Sequence, residues 1–103
     1  MITTVRSATI QQGTPIKAAF EFAVKVAMYL NENLGTNTQV QRNVAGSIYQ
    51  VHWVTTVESL AQVDELDQKM QADEGYGSLL AEAREQGLFD ISSVVDNLYQ
   101  SIP

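Results

Sequence analysis

The sequence predicts a single two-layer α+β domain over residues 1–103, with elements in the order β-α-β-β-α-β. Three observations carry this. Runs rich in β-branched residues open the chain and recur in its middle. An apolar stripe at helical spacing lies between Thr14 and Gly35. A second amphipathic segment begins at Ser59, with Gln62 three residues on as a capping box.

Residues 2–10, ITTVRSATI, read as strand one. Neither set of alternate positions is cleanly apolar, so this strand is not simply half-buried against water. Thr14 is expected to cap the first helix with Pro15 at its first position. Ile16, Ala19, Phe20, Ala23, Val26, Ala27, Leu30 and Leu34 form its apolar stripe, and Glu21 and Lys25 are spaced to pair. Gly35 suits the position after the helix end. Residues 38–44 alternate as strand two, Ala45-Gly46-Ser47 makes a short turn, and 48–56 is strand three, an antiparallel hairpin. The second helix has Leu60, Val63, Leu66 and Met70 as its buried edge, with Gly75-Tyr76-Gly77 interrupting it. A further segment, 77–86, carries Leu79, Leu80 and Ala83 and stops at Gly87. The tail reads as strand four over 96–102, in preference to a closing helix over 93–100. The resulting order is the ferredoxin-like, or split βαβ, unit: a four-stranded antiparallel sheet with both helices on one face.

Composition excludes several function classes. The absence of cysteine removes disulfides, thiolate metal sites and cysteine nucleophiles. Residues 1–57 carry four basic and two acidic side chains, whereas 58–103 carry two basic and ten acidic. That acidic half argues against nucleic acid, which needs clustered Lys and Arg. It reads as a solvated helix face, with an acidic docking surface for a stress or regulatory subunit as the other possibility. No secretory leader and no apolar run of membrane-spanning length is visible, so a cytoplasmic protein without membrane contact is expected. Asp64, Glu65, Asp67, Asp73 and Glu74 fall at mixed angles around a helix, and no ligand spacing suggests a metal. There is no phosphate-binding glycine pattern, and the serines of the tail lack a nucleophile context.

A sheet with helices on one face leaves the other face open. On strand three, Tyr49, Val51 and Trp53 alternate with Ile48, Gln50, His52 and Val54, and neither set suits water over its full length. Two such sheets stacked face to face would cover them. At this point the chain resembles the dimeric α+β barrel superfamily, which includes the antibiotic biosynthesis monooxygenase-like and NIPSNAP-like proteins. The resemblance lies in MITTVRSATIQQG before the long helix, HWVTTVESL running into the second, DEGYGSLLAEA, and SSVVDNLYQSI as a closing strand. It implies a homodimer through the sheet face, and a small organic molecule or haem inside the barrel. The expected function is binding of a small apolar or aromatic molecule. The alternatives are a cofactor-independent monooxygenase-like or haem-handling enzyme, and a non-catalytic assembly protein. No cofactor is assigned.

The candidate ligand-binding residues are Arg6, Tyr49, His52 and Trp53. His52 is also the one candidate base, the only side chain here with an ordinary pKa near neutrality. His52 and Trp53 are strand neighbours and point to opposite faces, so they cannot share one cavity. Trp53 is expected toward the core and His52 toward the interface. Tyr49 and Trp53 could line an aromatic pocket or pack on the first helix. Arg6, in the middle of a central strand, needs an anionic ligand group, an ion pair or a route to solvent. Arg42, on strand two, raises the same question at an expected edge position.

Overall fold

The computed structural model describes residues 1–103. Its elements are β1 (Ile2–Ile10), α1 (Ile16–Asn33), β2 (Thr38–Arg42), β3 (Gln50–Val57), α2 (Leu60–Ala72), α3 (Glu74–Gln86) and β4 (Phe89–Gln100). The strands form one antiparallel sheet in the order β2-β3-β1-β4. This is the ferredoxin-like α+β arrangement expected from the sequence, with the second helix in two pieces.

Pairing register sorts the side chains. Arg6 lies between Trp53 and Asp96, and Thr4 between Thr55 and Leu98; these rows face the helices. Ser7 lies between His52 and Val95, and Val5 between Val54 and Asn97; these rows face the open side. The β1–β4 register shifts between Ser7 and Thr9, where residues 91–94 bulge out of the ladder.

The core fills the space between α1, α3 and the sheet. Ala19 and Ala23 bring α1 close to Ile10 and Val51, all four being buried. A second cluster joins Phe22, Val26 and Leu30 of α1 to Tyr76 and Leu79 of α3 and to Leu88. Phe22, not Phe20, is thus the buried phenylalanine of the helix. Lys25 pairs with Glu82 of α3 at 3.1 Å, and Glu21 with Lys17 at 3.9 Å, so the expected Glu21–Lys25 pair is replaced by a tie between helices and a long one within α1.

Four boundaries differ from expectation, each for a local reason. Pro15 caps α1, because the Thr14 hydroxyl instead donates to the Gly87 carbonyl at 3.1 Å. The β2–β3 connection runs over 43–49, longer than a three-residue turn. Asn43 folds it inward by donating to Ser47 O at 2.7 Å and to Gln50 Oε1 at 2.8 Å, and Gly46 takes φ 93°. The second helix breaks at Asp73, ahead of Gly75-Tyr76-Gly77. Asp73 leaves helical geometry with ψ 116° and accepts from Tyr76 N, restarting the chain as α3. The last strand begins at Phe89, so the tail is strand and not helix. Ser59 does cap α2, accepting from Gln62 N at 3.3 Å, while Gln62 Oε1 accepts from Glu58 N. Gly87 ends α3 in the left-handed conformation.

Gly75 permits the break to be clamped. Tyr29 of α1 donates to Asp73 Oδ2 at 2.6 Å, with its ring lying over Gly75. That hydrogen bond holds the Tyr29 hydroxyl above, and the Asp73 carboxyl below, their ordinary pKa ranges. A Cβ at residue 75 would stand 1.9 Å from the Tyr29 oxygen and 2.5 Å from its ring carbon. Gly75→Ala is therefore expected to lower the urea midpoint. In a Tyr29→Ala background the same change should instead stabilise, by roughly 0.5–1 kcal/mol, because alanine then contributes only its better helix propensity. Equal effects in both backgrounds would show that the ring does not impose the glycine.

Candidate functional site

One large cavity, about 820 Å³, lies between the helix-facing side of the sheet and α2 and α3. It exists because α2 stands off the sheet. None of its residues is buried, and Leu60 is 62% exposed, although Leu60, Val63, Leu66 and Met70 had been expected to form a buried edge. Those four side chains line the cavity instead. Leu80, Ile91, Val94 and Leu98 also combine solvent exposure with a place on its wall. Trp53 forms part of the inner end, edge-on to Phe89 with ring centroids 5.6 Å apart, its indole nitrogen donating to Ala23 O at 3.1 Å.

The polar centre is built on Arg6. Its guanidinium meets Asp96 fork to fork, Nε to Oδ1 at 2.7 Å and Nη2 to Oδ2 at 2.9 Å. The remaining Nη1 donates to the Tyr76 hydroxyl oxygen at 3.4 Å. Hydrogen bonding to Asp96 keeps the guanidinium charged against the opposing effect of burial. The same bond holds the Asp96 carboxyl below its ordinary range. Burial pushes the Tyr76 hydroxyl up, with Arg6 opposing, so Tyr76 keeps its proton.

The comparisons bear on this architecture. No protein-family model matches the chain, and no curated protein matches it in sequence. Solved structures do match along nearly its whole length. A NIPSNAP family protein from Agrobacterium tumefaciens superposes with a TM-score of 0.74 at 13% identity, covering 99% of this chain and 94% of that one. The cofactor-independent oxygenase SnoaB from Streptomyces nogalater gives 0.71 at 11% identity, covering 99% and 93%. An uncharacterised NIPSNAP domain protein from Burkholderia xenovorans gives 0.69 at 15%, covering 99% and 95%. The chain has their fold. At these identities the likeness to the NIPSNAP and oxygenase structures extends to architecture, not to side-chain chemistry.

Within this fold the four residues singled out from sequence separate. Arg6 and Trp53 line the cavity together. Tyr49 lies in the loop before β3, half-exposed, its carbonyl accepting from Ile10 N at 2.7 Å. His52 is on the open face. Its Nε2 lies 2.7 Å from Asn43 Oδ1 and its Nδ1 2.6 Å from Ser7 Oγ. An amide oxygen only accepts, so Nε2 carries the proton given to Asn43. The orientation of Asn43 follows from its donation to Ser47 and Gln50. His52 is not placed to ligate a haem in the cavity, because it faces away from it with both ring nitrogens engaged. No group of three His, Asp or Glu side chains converges as a metal site, and no helix is long and apolar enough to cross a membrane. Sequence reasoning missed Tyr76 and Asp96. Tyr76 sits in a stretch that reads as a helix break, and Asp96 opens a solvent-like alternation; only strand register sets Asp96 opposite Arg6.

The pairing makes stability depend on pH with a definite sign. Asp96 binds its proton less readily folded than unfolded, so its contribution is complete above the ordinary carboxyl value of 3.8 and is lost as pH falls through the lower folded value. Asp96→Asn should flatten the loss of stability measured by urea titration between pH 5 and 2. Asp73, depressed in the same direction, should keep some slope. Because the pair is about half-exposed, its removal at neutral pH should cost only on the order of 1 kcal/mol. An unchanged acid limb would mean that the fork does not persist in solution.

Proposed function

We propose that this protein is a binding protein for a small, mostly apolar molecule, held between the sheet and α2–α3, and that it works as a homodimer through the open sheet face. The observation that supports the binding reading most is the set of apolar side chains left uncovered on one cavity. Of the 27 residues lining it, 17 are hydrophobic, and contiguous apolar surface of this kind is costly in water unless something fills it. The volume suits an organic molecule of several rings or a short acyl chain. Support for the dimer is the open face itself. Val5, Val54, Val95 and Tyr99 share it with hydroxyl and amide side chains and His52, and a carboxylate, Asp90, enters only at its end, opposite Thr9.

The cavity favours binding over the assembly alternative, which requires no pocket. Oxygenation of the bound molecule without a cofactor rests on likeness to SnoaB alone, since no cavity side chain singles out that chemistry.

Trp53, the only tryptophan, reports on the cavity directly. Titration with the neutral dye Nile red should quench or shift its emission with a saturable isotherm. Leu98→Glu, which places a carboxylate on the wall, should weaken binding at least tenfold, about 1.4 kcal/mol. Absence of any saturable response from Nile red or from neutral bicyclic aromatics would overturn the binding reading. Native mass spectrometry should find a dimer, and Val54→Lys should convert it to monomer while retaining the dye site. A monomeric wild type at micromolar concentration would remove the dimer from the proposal.

A further inference from the structure

The charges in the cavity restrict what can enter it. Arg6 is the cation at its centre, and both fork nitrogens facing Asp96 are already engaged. A ligand carboxylate would have to displace Asp96 and then sit beside its negative charge. Asp64 and Asp67 of α2 add two further carboxylates to the walls, against a single exposed cation, Arg84 of α3. The field of Asp67 reaches both Arg6 and Tyr76. An anion therefore meets a central cation that is already paired, and two unpaired carboxylates against one unpaired cation, Arg84.

Tyr76 differs from its neighbours. It is 7% exposed and lies on the cavity wall, its oxygen accepts from Arg6, and its own proton has no acceptor in the protein. A hydroxyl offers one donor as well as its lone pairs, so this proton is left for a bound molecule. Arg6 enhances it: donation into the phenol oxygen from a cation polarises the O–H outward. Thr4, Thr38, Thr55 and Gln71 on the walls are engaged within the protein, which leaves a ligand oxygen few other partners.

Building on the binding reading above, we infer that Tyr76 is the specificity-determining donor of the cavity and that the ligand carries an uncharged oxygen acceptor, such as a carbonyl, and no carboxylate. Arg6 and Asp96 act as a positioning pair. Asp96 occupies the guanidinium so that it orients Tyr76 and does not capture anions.

Three naphthalene probes of similar size separate the possibilities: 2-acetylnaphthalene, 2-ethylnaphthalene and 2-naphthoate, each measured by equilibrium dialysis at pH 7.5. Wild type should bind the ketone at least fivefold more tightly than the ethyl compound and at least tenfold more tightly than the carboxylate. Tyr76→Phe, checked for folding by circular dichroism, should bring the ketone to the level of the ethyl compound and leave the latter unchanged. Asp96→Asn, which releases the Arg6 fork, should raise naphthoate affinity about tenfold, so the inference stays testable if the Tyr76 variant fails to fold. Preference for naphthoate by wild type, or a ketone preference that survives Tyr76→Phe, overturns the inference. Equal binding of all three overturns it while leaving the binding cavity standing. Binding of none, together with no response to Nile red, overturns both.

Discussion

Arg6 and Asp96 face each other across the β1–β4 ladder, and their fork-to-fork contact lets a guanidinium stand in the middle of a sheet beneath two helices. The side chain keeps part of its surface in water, and the pairing satisfies the part turned toward the cavity. Paired, it ties the last strand to the first, and gives a mostly apolar cavity its polar centre. The same contact decides that centre's character, since it uses the cation's charge internally and leaves only Nη1 to reach Tyr76.

The cavity itself follows from a helix that does not pack. Had α2 and α3 been one continuous helix, residues 60–72 would extend along the axis of the α3 segment. Asp73 interrupts the backbone, Tyr29 clamps the interruption to α1, and Gly75 leaves room for the ring. From there α3 docks on α1 through Tyr76 and Leu79, while α2 leans over the sheet and buries none of its residues. Its apolar edge, ordinary core material by spacing, becomes wall material because of where the break falls. Sparse burial also makes α2 the element most able to open, the general character of segments that admit ligands.

The two faces of the sheet divide the remaining chemistry. On the helix side are the aromatic pair Trp53–Phe89, the ionic fork and the buried hydroxyl. On the open side Ser7, His52 and Asn43 form a hydrogen-bonded chain within a surface of valines, threonines and amides. Both ring nitrogens of His52 are satisfied there, which fits a residue that orders a face more than one that performs a reaction.

Much of this was legible in the sequence because it depends on local rules. Alternation in the strands, the apolar stripe of α1, the Ser59–Gln62 cap and the stop at Gly87 follow from backbone geometry and nearby hydrogen bonds. They determine the βαββαβ order and the opposite directions of His52 and Trp53. The long-range partners did not follow from it. That Arg6 meets Asp96, 90 positions away, depends on strand register; that Tyr76 lies beside both depends on how α3 docks on α1. Tyr49 left its predicted strand because Asn43 folded the hairpin loop inward, a choice made by one side-chain amide. Local sequence thus determined the elements and their faces. Only the tertiary structure decided which side chains meet, since pairing across a sheet and docking of one helix on another are set by the sum of distant contacts.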